Sequence, residues 1–225
     1  MSSQNLSGRR VLIGVPSLTG VVDVHFAHSV GETIRLCTQI GCDVRTLYMS
    51  YDSLIQRVRN DLVLAAIENN FDDLVFIDAD QGWKPEWVPQ LLKYPVDCVG
   101  GAVVKKKDVE DYNVLRPLQR TAIDGLYSVG GLGTGFMRLT KRAMVALLDR
   151  SEEYRDDSGK VNRWMFDVGP VNGRLVGEDI AMATKLRDAG IPVHLDPSIT
   201  CWHIGHKVYS GNFAAWLENL RTKAA

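Results

Sequence analysis

Asp78-Ala79-Asp80 stands directly after Leu74-Val-Phe-Ile77, a run of four apolar residues. Two carboxylates at i, i+2 on irregular chain can converge on one divalent cation, and hard oxygen donors suit Mg²⁺ or Mn²⁺. Such a cation neutralises the charge that builds on a leaving phosphate. The plain alternative is a polar turn, since Asp caps segments and Gly82 and Pro85 form turns. Gly177-Glu178-Asp179 opens a helix late in the chain. A carboxylate there can act as general base toward a hydroxyl, although the helix dipole favours acids in a first turn without any catalysis. Trp202-His203-Ile-Gly-His206-Lys-Val-Tyr209 follows a short apolar stretch. A histidine there offers a third metal ligand, or is simply a half-buried imidazole.

These groups need a frame. Strand patterns fall at 11–15, 44–49, 74–77 and 96–104, with helical spacing between them at 28–40 (Gly41 as C-cap) and 53–67 (Ser53 as N-cap). Strands alternating with helices imply βαβ units and a mainly parallel sheet in the first half. Ligands of such sheets bind outside the carboxyl ends of the strands, where Asp78 and Asp80 lie. The second half is more mixed. Residues 105–125 read as loop or edge structure, 126–131 and 133–139 as two short strands around a Gly-rich turn, and 140–148 as a helix capped by Thr140. The stretch 151–160 reads as a solvated loop, and 177–189 as a helix closed by Gly190. Short strands at 193–195 and 199–202 and a terminal helix at 212–223 complete the pattern. The expectation is one α/β domain with two halves, about 1–104 and 105–225.

The chain has 225 residues, 45% hydrophobic and 24% charged, which excludes a disordered polymer, a collagen and a coiled coil. A net charge of -1, from 26 basic and 27 acidic residues, argues against gripping nucleic acid by charge alone. The run at 11–15 is too short for a membrane span. Cys37, Cys42, Cys98 and Cys201 show no C-x-x-C spacing, so they read as free thiols of a soluble cytoplasmic protein.

Taken in order, several segments resemble the glycosyltransferases of the GT-A fold, family 2-like, and are similar to the small enzymes of large viruses and phages. The carriers are Ile13-Gly-Val-Pro16, Ser53-Leu-Ile-Gln-Arg-Val-Arg-Asn60, Phe76-Ile-Asp-Ala-Asp80, Gly133-Thr-Gly-Phe-Met137, Gly177-Glu-Asp179 and the His203 segment. The resemblance implies a Rossmann-like nucleotide-binding half and a mixed-sheet acceptor half. It implies a nucleoside-diphosphate sugar donor, UDP-sugar favoured, held by Mn²⁺ or Mg²⁺. Asp78 would lie near the donor ribose or sugar, and Asp78, Asp80 and His203 would surround the metal. Pro16 would border the nucleobase. Of Arg57, Arg59 and Asn60, one arginine would face the donor and the other would be structural or exposed. The glycines of 130–135, Gly135 among them, read as room for an acceptor sugar or for tight strand packing. His206 and Lys207 are the alternative reach toward the diphosphate. Asp179 would be the general base, with Glu178 beside it, giving inversion at the anomeric carbon.

The sequence departs from the family in lacking an acid after the second strand, where Leu47-Tyr-Met-Ser50 stands, and in lacking the full Gln-x-x-Arg-Trp of processive synthases. Transfer of one sugar to a glycan hydroxyl is therefore expected. The alternatives are transfer to hydroxymethylated DNA bases, with nucleic acid only as acceptor, and nucleotidyl transfer. The latter would show a basic Gly-rich loop after the first strand, and Pro16-Ser-Leu-Thr-Gly20 has no Lys or Arg. Lys105-Lys-Lys107 offers an anion contact or a solvated loop. Trp83, Trp87, Trp164 and Trp202 offer either core packing or sugar stacking.

Overall fold

In the computed structural model, which describes residues 5–123, 125–156, 159–171 and 173–223, the first apolar run extends into β1 (Arg10–Ser17). There follow α1 (Val24–Gln39), β2 (Asp43–Ser50), α2 (Ile55–Glu68), β3 (Asp73–Ile77), β4 (Gln81–Gly82), α3 (Trp87–Lys93), β5 (Cys98–Val103), β6 (Val114–Arg120), β7 (Tyr127–Leu132) and β8 (Phe136–Thr140). The chain continues through α4 (Lys141–Asp149), β9 (Glu153–Arg155), β10 (Val161–Arg163), β11 (Gly169–Val171), β12 (Arg174–Val176), α5 (Glu178–Asp188), β13 (Val193–Ile204), β14 (Val208–Tyr209) and α6 (Phe213–Lys223).

One mixed sheet runs through both halves in the order β2-β1-β3-β8-β5-β13-β7-β6, with β4 and β14 also paired to β13. β1 is parallel to β2 and β3, and β5 is parallel to β13. β8 enters antiparallel between β3 and β5. The fold is thus a mixed α/β sheet, as expected, with parallel strands leading. Alternate residues of β3 enter two different apolar clusters, Leu74 and Phe76 one, Val75 and Ile77 the other. That is the pattern of a strand covered on both faces.

Charge locks the centre of this sheet. Asp73, fully buried on β3, accepts from Arg9 on the segment entering β1 (Nη2 to Oδ1, 3.0 Å) and from Arg138 on β8 (Nε to Oδ1, 3.0 Å). Arg138 is itself buried and also donates to the Tyr94 carbonyl at 3.2 Å. A carboxylate shared by two guanidiniums satisfies groups that would otherwise be stranded in low dielectric.

Several elements differ from expectation. β1 passes through Pro16 because pairing to β3 ends at Gly14, so beyond it only β2 is paired. α1 starts at Val24 rather than His28, since the Asp23 carboxylate accepts from the His25 amide at 2.8 Å. Ser53 does not cap α2; the N-cap is Leu54, and Asp52 accepts the Leu54 amide at 2.9 Å instead. The two strands expected at 193–195 and 199–202 are one strand, β13, with its register shifted between Asp196 and Thr200 around Pro197. β7 and β8 do not form a hairpin across their glycines. The link is drawn into the site, where the Gly135 carbonyl accepts from Asp78 and Gly133 donates to the Asn113 carbonyl. The expected loop at 151–160 contains β9, paired with β10, and Asn162 ties this ribbon to Asp61 at 2.6 Å; residues 157 and 158 lie outside the described residues.

All four cysteines are free and buried. Trp83 and Trp87 are core residues, the indole of Trp83 donating to Thr33 at 2.9 Å. Among the described residues, no helix is long and apolar enough to cross a membrane.

Candidate active site

At the carboxyl end of β3 the chain leaves the sheet through Asp78. Its amide donates to the Gly135 carbonyl at 3.1 Å, and its carboxylate faces Arg59 (Nη2 to Oδ1, 3.3 Å). Arg59 projects from α2, is 5% exposed, and also holds the Glu178 carboxylate. One buried guanidinium thus joins the end of β3 to the first turn of α5. Arg57 points elsewhere, into an exposed pair with Asp52 at 2.8 Å. The two arginines thus point apart, one into the cavity and one into solvent.

Asp179 follows Glu178 and is 8% exposed. It accepts from the Ile180 amide at 2.8 Å and from the Asn113 side chain at 2.7 Å. Burial, and then the adjacent Glu178 charge, push its carboxyl above the ordinary aspartate range, against the two hydrogen bonds and Arg59. A carboxylate raised in this way is a stronger base than an ordinary aspartate.

A cavity of about 240 Å³ lies between these groups, lined by Arg59, Asp78, Gln81, Val103, Val104, Lys105, Asn113, Gly133, Thr134, Gly135, Glu178, Asp179 and His203. Two of its polar side chains, Gln81 and Thr134, are almost wholly buried, and their oxygens have no partner among the described residues. Gly135 is required by space: a Cβ there would meet Gln81 Nε2 at 2.1 Å and Asp78 Oδ2 at 2.8 Å.

His203 sits on β13 opposite Gln81 of β4. Its Nδ1 donates to the Val104 carbonyl at 2.8 Å, which leaves Nε2 facing Asp80 Oδ2 at 3.4 Å. A backbone carbonyl on one ring nitrogen is how metal-binding histidines fix the ring while the other nitrogen stays available to a ligand. Lys106 Nζ also contacts Asp80, at 2.5 Å. Burial raises the Asp80 carboxyl, but the hydrogen bonds and charges of His203 and Lys106 outweigh this and hold it down to about 2. Asp80 and His203 therefore fit as two ligands of a divalent cation. Asp78 does not complete the set: it is turned to Arg59, and among the described residues no three acidic, histidine or cysteine side chains converge as a metal cage.

The fold brings Arg59, Asp78, Gly135, Glu178, Asp179 and His203 to one cavity, with Asp80 bound to its His203 wall. Besides Arg57, it places four other expected residues elsewhere. Asn60 is buried and accepts the Met165 and Phe166 amides at 3.0 and 3.1 Å, a structural task. Pro16 is buried in β1 beside Met49. Lys207 is exposed and paired with Asp108 at 2.7 Å, and His206 is exposed beside it. Sequence reasoning missed Asn113, Gln81 and Thr134. Asn113 lies in a polar stretch with no motif around it, and only its contact with Asp179 reveals it.

No family model matches the sequence, and no curated protein does. Among solved structures the fold is similar to A197 from STIV, with a TM-score of 0.56 and 16% identity over 87% of this chain and 86% of that one. Weaker likenesses include a provisionally named nucleotide-diphospho-sugar transferase from Desulfovibrio desulfuricans G20 (TM-score 0.40, 11% identity, 84% of this chain and 79% of that one). Another is a provisionally named glucose-1-phosphate thymidylyltransferase from Bacillus anthracis (0.36, 11%, 60% and 74%).

Proposed function

We propose that the protein is a glycosyltransferase of the GT-A type that moves one sugar from a nucleoside-diphosphate sugar to an acceptor hydroxyl, with inversion. The observation that carries this reading is the meeting of Asp78, from the end of β3, and Asp179, from the first turn of α5, across one polar cavity. In it, Asp179 takes the proton of the acceptor hydroxyl as that oxygen attacks the anomeric carbon. Asn113 and the Ile180 amide hold the carboxylate in place. Arg59 fixes Asp78 and Glu178 around the donor sugar.

A divalent cation, Mn²⁺ or Mg²⁺, would be held by Asp80 and His203 and would supply positive charge to the leaving diphosphate. Lys106, paired with Asp80, and Lys105, on the cavity wall and paired with Asp111, lie at the same end. The nucleobase would lie beyond β1 and β2, where Leu18, Tyr48 and Tyr51 are exposed. Tyr51 is 82% exposed and has a left-handed backbone (φ 65°), a strained conformation of the kind that clusters at ligand sites. UDP is the favoured carrier and a glycan hydroxyl the favoured acceptor.

A panel of UDP- and GDP-sugars, incubated with Mn²⁺ and analysed for products, tests the reaction class. Free nucleoside diphosphate is the expected product. Release of pyrophosphate would make the protein a nucleotidyltransferase and overturn the proposal.

A further inference from the structure

A cavity of about 520 Å³, remote in sequence from the Asp78 site, lies between α6 and the turn joining β6 to β7. A second depression of about 250 Å³ shares Leu217 and Arg221 with it, so the two form one groove along α6. Three guanidiniums line this groove: Arg116, Arg120 and Arg221. None is ion-paired among the described residues, whereas Arg9, Arg59, Arg138 and Arg142 each sit on a carboxylate. The one acid on the groove wall, Glu218, is bound to none of the three.

Two of these arginines converge on one side chain. Arg120 Nε donates to the Tyr127 hydroxyl at 3.0 Å, and Arg221 lies 5.4 Å from the centre of the same ring. Tyr127 is a core residue, 7% exposed, so the ring is a fixed platform. Burial raises its phenol, but the two guanidiniums outweigh burial and draw it below the ordinary tyrosine value. Two like charges held on one platform, in a protein of net charge -1, leave an uncompensated positive site. Guanidinium forks match planar and tetrahedral oxyanions bidentately. Beyond them the groove is floored by Leu118, Trp216 and Leu220 and ends at Val114, the residue after Asn113.

We propose that this groove binds an oxyanion (a phosphate, sulfate or carboxylate group) between Arg120 and Arg221. Such a group could arrive as the free anion or as a substituent on a saccharide lying along Trp216. The test is titration of the ¹⁵N-labelled protein, followed through the arginine Nε resonances. Three probes are used: inorganic phosphate, oligogalacturonate and neutral maltohexaose. Saturable shifts at Arg120 and Arg221 are expected with phosphate or oligogalacturonate and not with maltohexaose. Arg120→Gln/Arg221→Gln should weaken binding at least about tenfold, the scale of losing one charged hydrogen bond. Arg174→Gln, an exposed arginine on β12, should leave it unchanged. Tighter binding of oligogalacturonate assigns a substituent on a saccharide, and tighter binding of phosphate assigns the free anion. The proposal is overturned if neither anion saturates, if maltohexaose binds equally well, or if Arg174→Gln weakens binding as much as the double variant.

Discussion

Asp179 is held where its own charge is disfavoured. Its folded-state pKa is raised by burial and by Glu178, so the folded chain keeps that proton more tightly than the unfolded chain does. Stability therefore falls as pH rises from the ordinary aspartate range through the raised value, and the ionised group opposes folding at neutral pH. Asp179→Asn should raise the thermal midpoint at pH 7, by about 2–4 °C for each kcal/mol relieved. The same variant should keep donor affinity and lose about 10²-fold or more in transfer, the usual share of a general base. Normal transfer by Asp179→Asn would remove Asp179 from the reaction. Asn113 acts on the same carboxylate: its hydrogen bond lowers the Asp179 pKa. Transfer should fall as pH drops through that pKa, and Asn113→Ala should move this acid limb to higher pH. A limb that stays in place in the variant's pH–rate profile would make Asn113 a packing residue only.

Whole elements are pinned by few groups. Asp73 joins β3 to β8 and to the segment entering β1 through Arg138 and Arg9. Asp73→Ala leaves Arg138 buried without its carboxylate and should lower stability by about 3–5 kcal/mol in denaturant unfolding. A loss under 1 kcal/mol would mean that the carbonyls of Tyr94 and Val96 suffice for Arg138. The turn before β8 is equally constrained. Gly135→Ala should displace Gln81 and Asp78 and weaken donor binding in calorimetric titration, while unchanged affinity would place the donor away from this turn.

The elements show why the sequence was partly readable. β3 was legible because four consecutive apolar residues suit a strand covered on both faces, and α4 because Thr140 accepts the Ala143 amide. The β8 insertion was not, because which strand lies beside which depends on distant pairing and not on local pattern. Asp78, Glu178, Asp179 and His203 were legible as chemistry-bearing types at element ends, and Arg59 through the resemblance of its helix. Asn113 and Gln81 carry no motif, Thr134 stands in the Gly133–Met137 segment without a role of its own, and all three become visible only in the cavity beside Asp179 and Asp78.

At the scale of the molecule, one sheet links two tasks. Its parallel strands β2, β1 and β3 end near the exposed Leu18, Tyr48 and Tyr51 and at Asp78, while β13, β7 and β6 reach the groove under α6. In this account a nucleotide-sugar diphosphate would be gripped where the segment after β3 meets the end of β13, by a dication that Asp80 and His203 would hold. Calorimetric titration of UDP- and GDP-sugars into the protein, with Mn²⁺ and then with EDTA, measures this most directly. The account predicts saturable binding of a donor in Mn²⁺ that is abolished by EDTA and by Asp80→Asn. Equal binding in EDTA, or no binding of any donor in Mn²⁺, would contradict it.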